Sequence, residues 1–188
     1  MKKYFLILTI FIMALTTSAC SFNKSTLSKP DIYKLNQKAA EYMAAGDYDS
    51  AIARLESIND LDPTHPEVQY NLGVAYIKKE DYEEAVKALS DAVKLKSDFA
   101  EAYYSLGVAY EALCDEQIED FKEEKDAKEK AELAAQIPQN IQNTYDSYNM
   151  FLEKAPDSPE KETVRSQLNF LGEKYKDFVA PNKTTIGE

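Results

Sequence analysis

The chain has 188 residues, of which 44% are hydrophobic, so it is long enough for one domain with its own core. It contains only 5 glycines and 7 prolines, which leaves few positions for the tight turns of an all-β fold and favours helices. The net charge is −11 and the pI is about 4.7, and this acidity argues against nucleic-acid binding, which requires a basic surface.

Residues 1–19 have the three regions of a secretory signal peptide. Lys2 and Lys3 precede an apolar run over residues 4–15, and small or polar residues then lead to Cys20. The run is shorter than the roughly 20 residues that cross a bilayer. The segment Thr17-Ser18-Ala19-Cys20 resembles a bacterial lipobox, which implies that Cys20 carries lipid and begins the mature protein. Ordinary signal peptidase cleavage, leaving Cys20 as a free thiol, is the alternative.

Lipid on Cys20 predicts a protein that is anchored to a membrane without crossing it. Residues 20–30 are polar and lack apolar periodicity, so they are predicted to form a flexible tether. Ser21 stands where Asp would resemble an inner-membrane retention signal. In a bacterium with two membranes we therefore expect the outer membrane, facing the periplasm, and otherwise the outer face of the plasma membrane.

The segment 31–113 repeats with a period of 34 residues. Residues 72–76 and 106–110 have the identical sequence Leu-Gly-Val-Ala-Tyr, and the blocks 46–51 and 80–85 match at the same spacing. Within each unit the apolar residues follow helical spacing, which predicts helical hairpins. Because a single hairpin cannot bury its apolar face, the units must stack to form a core.

The pattern around Gly73, Tyr76 and Ala85 resembles the tetratricopeptide repeat. This resemblance implies an all-α solenoid over residues 31–178, with about three helical hairpins near 32–65, 66–99 and 100–156. A capping helix near 159–178 is predicted from an apolar stripe, and residues 179–188 are expected to form a loose tail. The stripe consists of Val164, Leu168, Leu171, Tyr175 and Phe178.

An insertion of 25 residues, with its body at 115–137, interrupts the third unit. We expect it to lengthen the hairpin, with the first helix running past Phe121 and its partner starting before Pro138, which marks a kink or a new helix start. Acid-first pairs, Glu124 with Lys128 and Asp126 with Lys130, support exposed helices. A solvated face and a partner-binding arm that uses Ile118 and Phe121 both remain open.

The sequence offers few candidates for catalytic residues. His65 is the only histidine and lies in a predicted turn, and Cys114 is the only cysteine besides Cys20. Neither forms a set with metal-ligand spacing, and the chain has no glycine-rich phosphate loop. We therefore expect no enzymatic activity, no cofactor and no metal ion.

The resemblance further implies that the first helix of each hairpin lines a groove for a protein partner. Family members that clamp a peptide carboxylate use Lys, Arg and Asn there, and this chain keeps only Asn71, so an apolar or basic segment is the better expectation. Glu67 and Glu101 would form an acidic rim. The predicted partner-binding residues are Tyr33, Asn36, Met43, Tyr70, Val74, Ile77, Lys78, Tyr104, Val108 and Glu111.

Two functions follow from these patterns. The first is a membrane-anchored scaffold or adaptor of the bacterial envelope, which holds a peptide or helix of a partner protein in the groove. The second is a structural lipoprotein that associates with itself, in which one solenoid completes the stack of another. Some apolar groove residues could instead pack against the next hairpin.

Overall fold

The computed structural model describes residues 29–179, with side chains from residue 31. The predicted signal peptide, Cys20, residues 21–28 of the tether and residues 180–188 of the tail lie outside the described residues. Within residues 29–179 the structure is helical and contains no strand. The helices are α1 (Lys29–Ala44), α2 (Tyr48–Leu61), α3 (Pro66–Lys78), α4 (Tyr82–Leu95), α5 (Ala100–Glu123), α6 (Ala127–Lys154) and α7 (Lys161–Lys174).

The helices pair as three hairpins, α1 with α2, α3 with α4 and α5 with α6, and α7 closes the stack. This arrangement confirms the predicted all-α solenoid with an extended third hairpin and a capping helix. Helix α1 begins at Lys29, two residues before the predicted start of the helical domain at residue 31.

The first two hairpins use the same turn between their helices. Gly46 and Glu80 occupy equivalent positions, and both have positive φ, of 76° and 62°. The next residue caps the second helix: Asp47 accepts the N–H of Ser50 at 3.1 Å, and Asp81 accepts the N–H of Glu84 at 3.4 Å. The cap makes up for one unsatisfied N–H at each helix start. Glu80 adopts a backbone conformation that costs a residue other than glycine on the order of 1 kcal/mol.

Small residues allow the two helices of a hairpin to approach closely. A Cβ atom added to Gly73 would lie 2.3 Å from Cγ of Leu89, and one added to Gly107 would lie 2.7 Å from the Tyr148 ring. Leu89 and Tyr148 therefore occupy equivalent positions on α4 and α6 once the insertion is counted. Both leave no room for a methyl group on the facing helix.

The insertion is an extension of the third hairpin, as predicted. Helix α5 runs to Glu123, and α6 continues through Pro138 without a break, so the prediction of a new helix start there is wrong. Proline removes the N–H that would bond to the carbonyl of Ala134, but both residues lie on the exposed side, where water can reach that carbonyl. Ile137 and Ile141, on the buried side, hold the helix against α5.

The predicted acid-first ion pairs do not form, because both acids lie in the connection between α5 and α6. A Glu124 carboxylate oxygen accepts the N–H groups of Lys125 and Asp126 at 2.6 Å each. Asp126 caps α6 by accepting the N–H groups of Lys128 and Glu129 at 2.9 and 3.1 Å. Their carboxylates therefore stabilise backbone groups at the turn.

Helix α7 buries the predicted apolar stripe against α5 and α6. Val164, Leu171 and Tyr175 are each no more than 1% exposed. The segment after α7 reaches the insertion, where the rings of Phe178 and Phe121 meet edge to face with centroids 5.9 Å apart. The apolar side of the insertion is therefore used within the protein, which favours the solvated-face interpretation over a partner-binding arm.

We predict that Gly73→Ala destabilises the fold by about 1–3 kcal/mol, because the new methyl group overpacks against Leu89. Urea unfolding monitored by circular dichroism measures this change.

Gly172→Ala is the matched control, since the nearest atom to its added Cβ, the Tyr145 hydroxyl oxygen, is 3.6 Å away. In an exposed helical position this substitution should stabilise by up to about 1 kcal/mol. Equal effects of the two substitutions would show that close helix approach is not what requires Gly73.

Candidate functional site

The first helices α1, α3 and α5 lie side by side and form one surface, which we call the groove. The side-chain amide of Asn71 on α3 donates to the side-chain carbonyl of Asn36 on α1 at 2.8 Å. This bond joins two residues at nearly the same height on parallel helices. The groove is therefore built from equivalent levels of successive hairpins.

On α1 the predicted groove residues have different environments. Tyr33 is 70% exposed, and Met43 is half-buried against the core of the first hairpin. Asn36 is half-buried and committed to Asn71. Among the three predicted groove residues of α1, Tyr33 is therefore the one that is exposed to a partner.

On α3 the predicted residues form part of the groove floor and one edge. The Tyr70 ring lies 5.0 Å from the ring of Phe99, just before α5. Val74 and Ile77 are half-buried, and Ile77 also packs on the core between the second and third hairpins. Lys78 is exposed at the end of the helix. The floor is apolar and partly open.

On α5 the aromatic residue is mainly a packing residue. The Tyr104 ring lies 6.1 Å from the ring of Tyr148 and 5.4 Å from that of Phe151, both on α6. Val108 is half-buried and packs on the same core. Each presents only part of its surface to the groove, as the packing alternative anticipated.

Glu111, the last predicted residue on α5, is at the centre of a hydrogen-bonded network. Its carboxylate accepts the Tyr148 hydroxyl at 3.1 Å and the Gln167 amide at 2.7 and 2.9 Å. Lys174 donates to it at 3.1 Å and to Asp115 at 2.7 Å. Because Gln167 and Lys174 of α7 bind its carboxylate, the Glu111 side chain is only 16% exposed and is not free to bind a partner.

The network changes the pKa values of its members. Burial, followed by the nearby Glu111 carboxylate, raises the pKa of Tyr148. Burial alone would lower the pKa of Lys174, but its hydrogen bonds to Asp115 and Glu111 outweigh this effect and raise it. Lys174 therefore remains a cation at neutral pH and holds two carboxylates of α5 against α7.

Sequence reasoning treated α7 only as a cap and missed Phe170. Gln167, Phe170 and Lys174 follow the spacing i, i+3, i+7, so they share one face of α7. The first and last of them bind Glu111, so Phe170 lies beside the groove, and it is 58% exposed. These three residues form a second stripe beside the apolar one, and their spacing in the sequence could have indicated it.

The acidic rim contains two carboxylates that have no partner in the described part of the chain. Glu67 and Glu101 are exposed in the first turns of α3 and α5, and neither forms a hydrogen bond or ion pair with another described residue. They are one repeat apart, at the end of the groove opposite Ile77 and Glu111. This edge of the groove is therefore negatively charged.

The residues considered for catalysis are separate from the groove. His65 lies in the turn before α3, with Nε2 3.0 Å from Asp62. Cys114 is fully buried, and burial raises the pKa of its thiol to about 12, so the reactive thiolate is scarce at neutral pH. Within residues 29–179 no group of three or more His, Cys, Asp and Glu side chains could hold a metal ion.

None of the helices in the described range is long and apolar enough to cross a membrane.

We predict that Glu111→Gln destabilises the fold by about 2 kcal/mol, because it removes the partly buried charge that accepts from Lys174, Gln167 and Tyr148. Urea unfolding of the variant measures this loss. Glu101→Gln, on the same helix but exposed and without a described partner, should change stability by less than about 0.5 kcal/mol. Similar values for the two variants would show that α7 docks without the network.

Comparison with known proteins agrees with this architecture. Residues 42–114 match a family model described as tetratricopeptide repeat. No curated protein sequence matches the chain.

Three solved structures have the same fold at low sequence identity. The first tetratricopeptide domain of Spaghetti (RPAP3), bound to the HSP90 peptide SRMEEVD, is 21% identical with a TM-score of 0.62 and covers 81% of this chain and 98% of its own. The Sgt2 domain from Aspergillus fumigatus is 16% identical with a TM-score of 0.62, covering 87% and 93%. The type III secretion translocator chaperone SycD from Yersinia enterocolitica is 15% identical with a TM-score of 0.61, covering 80% and 89%. The described chain is thus a short solenoid of tetratricopeptide-like hairpins.

Proposed function

We propose that this protein is a membrane-anchored scaffold of the bacterial cell envelope, which holds a segment of a partner protein in the groove. The observation that carries the proposal is a set of apolar side chains that the first helices and α7 leave partly open. Val74 and Val108 are half-buried one repeat apart on α3 and α5, Tyr33 is exposed near the start of α1, and Phe170 is exposed on α7. Exposed apolar side chains on one surface are typical of a site that a protein partner covers.

Proteins with the same fold support binding of a protein segment. The Spaghetti domain is described as bound to an HSP90 peptide, and SycD is described as a translocator chaperone. The peptide in the first case, SRMEEVD, is acidic, whereas this groove has an acidic edge. Asn71, the one residue kept from the carboxylate clamp, is already bonded to Asn36. The groove therefore suits an apolar or basic segment better than an acidic peptide terminus.

The proposed attachment to a membrane depends on Cys20 and not on the groove. Lipid on this residue, followed by the polar segment 21–28, would hold the helical domain close to a membrane surface. Ser21 favours the outer membrane in a bacterium that has two. The negative charge of the chain would be repelled by anionic headgroups, so the lipid itself would supply the attachment.

The alternative of self-stacking gains no support from the C-terminal end of the solenoid. The outward face of α7 carries Arg165, Asn169 and Glu173, and Lys176 follows the helix; all four are exposed. Polar terminal faces of this kind keep repeat proteins from stacking end to end. We therefore place partner binding in the groove.

We predict that Tyr33→Ala together with Phe170→Ala lowers recovery of a cross-linked partner from the membrane fraction at least fivefold. Both side chains are exposed, at 70% and 58%, so their loss removes contact surface without opening the core. Circular dichroism and thermal melting should be unchanged.

Leu95→Ala is the matched control, because Leu95 is also a large exposed apolar residue, at 44%, but lies at the end of the second helix α4. It should recover the partner at the level of the unmodified protein. If the double variant and Leu95→Ala recover the same amount of partner, binding in the groove is contradicted.

We predict that Cys20→Ser abolishes incorporation of labelled palmitate and releases the protein from the membrane fraction. Cys114→Ala is the control, since the chain has only these two cysteines and Cys114 is buried. It should keep both the label and the membrane association. Palmitate on the Cys20→Ser protein would rule out the lipobox interpretation.

A further inference from the structure

The two edges of the groove have different chemistry. Glu67 and Glu101 form a negative edge near the starts of α3 and α5 and have no partner among the described residues. The opposite edge carries Ile77, the exposed cation Lys78 and the exposed ring of Phe170, while the Glu111 carboxylate is already bound by α7. An occupant therefore meets free negative charge on one side only.

The width of the groove suits one helix. From Glu67 to Ile77 is ten residues along α3, or about 15 Å at a rise of 1.5 Å per residue. A helix with its side chains is about 10–12 Å across. One helix laid across the first helices therefore spans the groove from the acidic edge to the apolar edge.

The spacing of the acids selects a helix over an extended chain. Packed helices lie about 8–10 Å apart, so Glu67 and Glu101 on neighbouring first helices are separated by about that distance along the groove. Seven residues of a helix advance about 10.5 Å and return to the same face. In a strand about three residues cover this distance, but i and i+3 point to opposite faces.

We propose that the groove takes a cationic amphipathic α-helix of a partner protein, with Lys or Arg seven residues apart along one edge and an apolar stripe beside them. This inference rests on the proposed function, and it names the partner that the same groove would take. The basic residues lie against Glu67 and Glu101, and the apolar stripe covers Val74, Val108 and Phe170. Basic residues seven apart in such a helix are separated by about the same distance as Glu67 and Glu101, because neighbouring first helices lie at the usual helix-packing distance.

The test uses three labelled synthetic peptides of 21 residues, a length that spans about 30 Å as a helix. All carry the same leucine stripe. The first has lysines seven residues apart beside the stripe, the second has glutamates at those positions, and the third has the same lysines moved to the opposite face. Fluorescence anisotropy measures binding of each peptide to the full chain at low and physiological salt.

The first peptide should bind roughly tenfold more tightly than the other two at low salt, because only it places charges against both acids. Glu67→Lys with Glu101→Lys should reverse the preference, so that the glutamate peptide becomes the tighter ligand. Glu67→Gln with Glu101→Gln should remove the preference without introducing positive charge at a helix start. Equal binding of the first and third peptides to the unmodified chain would overturn the proposal.

A matched control separates local pairing from general attraction to an acidic protein. Asp60→Lys with Glu119→Lys changes the net charge by the same amount at exposed positions on α2 and on the extension of α5. This variant should keep the preference for the first peptide. If it loses the preference as the groove variant does, the selectivity is nonspecific and the proposal fails.

The outcome also distinguishes this inference from the function on which it rests. Binding of all three peptides with equal affinity, abolished by Phe170→Ala, would leave the groove as a binding site and reject the cationic helix. Loss of partner recovery in the Tyr33 and Phe170 variant, together with no binding of any peptide, would reject the helix and keep the scaffold.

Discussion

Close approach of the two helices within a hairpin sets the dimensions of this protein. Gly73 faces Leu89, and Gly107 faces Tyr148, with no room for a Cβ atom at either glycine. A side chain of the second helix therefore packs directly on the backbone of the first. The resulting hairpin has an apolar face that it cannot bury alone. Stacking of these units forms the core and brings the first helices α1, α3 and α5 together as one surface.

The third hairpin departs from the second at this same contact. Tyr148 replaces the leucine of the second hairpin, and its hydroxyl reaches Glu111 on the facing helix. Glu111 then accepts Gln167 and Lys174 from α7. One enlarged side chain at a repeat position thus leads to the network that docks the cap. It also removes a carboxylate from the groove and leaves the free acids on the other edge.

The insertion and the cap depend on each other. The extension of α5 and α6 presents an apolar side, and the segment after α7 covers it through Phe121 and Phe178. Without that cover the extension would expose its aromatic ring at the end of a charged hairpin, where it gains little stability by itself. The same charged residues that make the extension soluble also cap its turn, as Asp126 does for α6.

The hairpins, the first-helix positions and the place of the insertion could be predicted from the amino-acid sequence, because they follow from periodic spacing and from the matching blocks that begin at Gly46 and Glu80. The sequence also predicted the buried stripe of α7. Which groove residues are available to a partner depends on contacts between helices. Tyr104 packs on α6, Glu111 is bound by α7, and Phe170 joins the groove edge. These outcomes depend on contacts between residues far apart in the chain. A 34-residue period carries no information about how a final helix outside the repeat docks against the last hairpin.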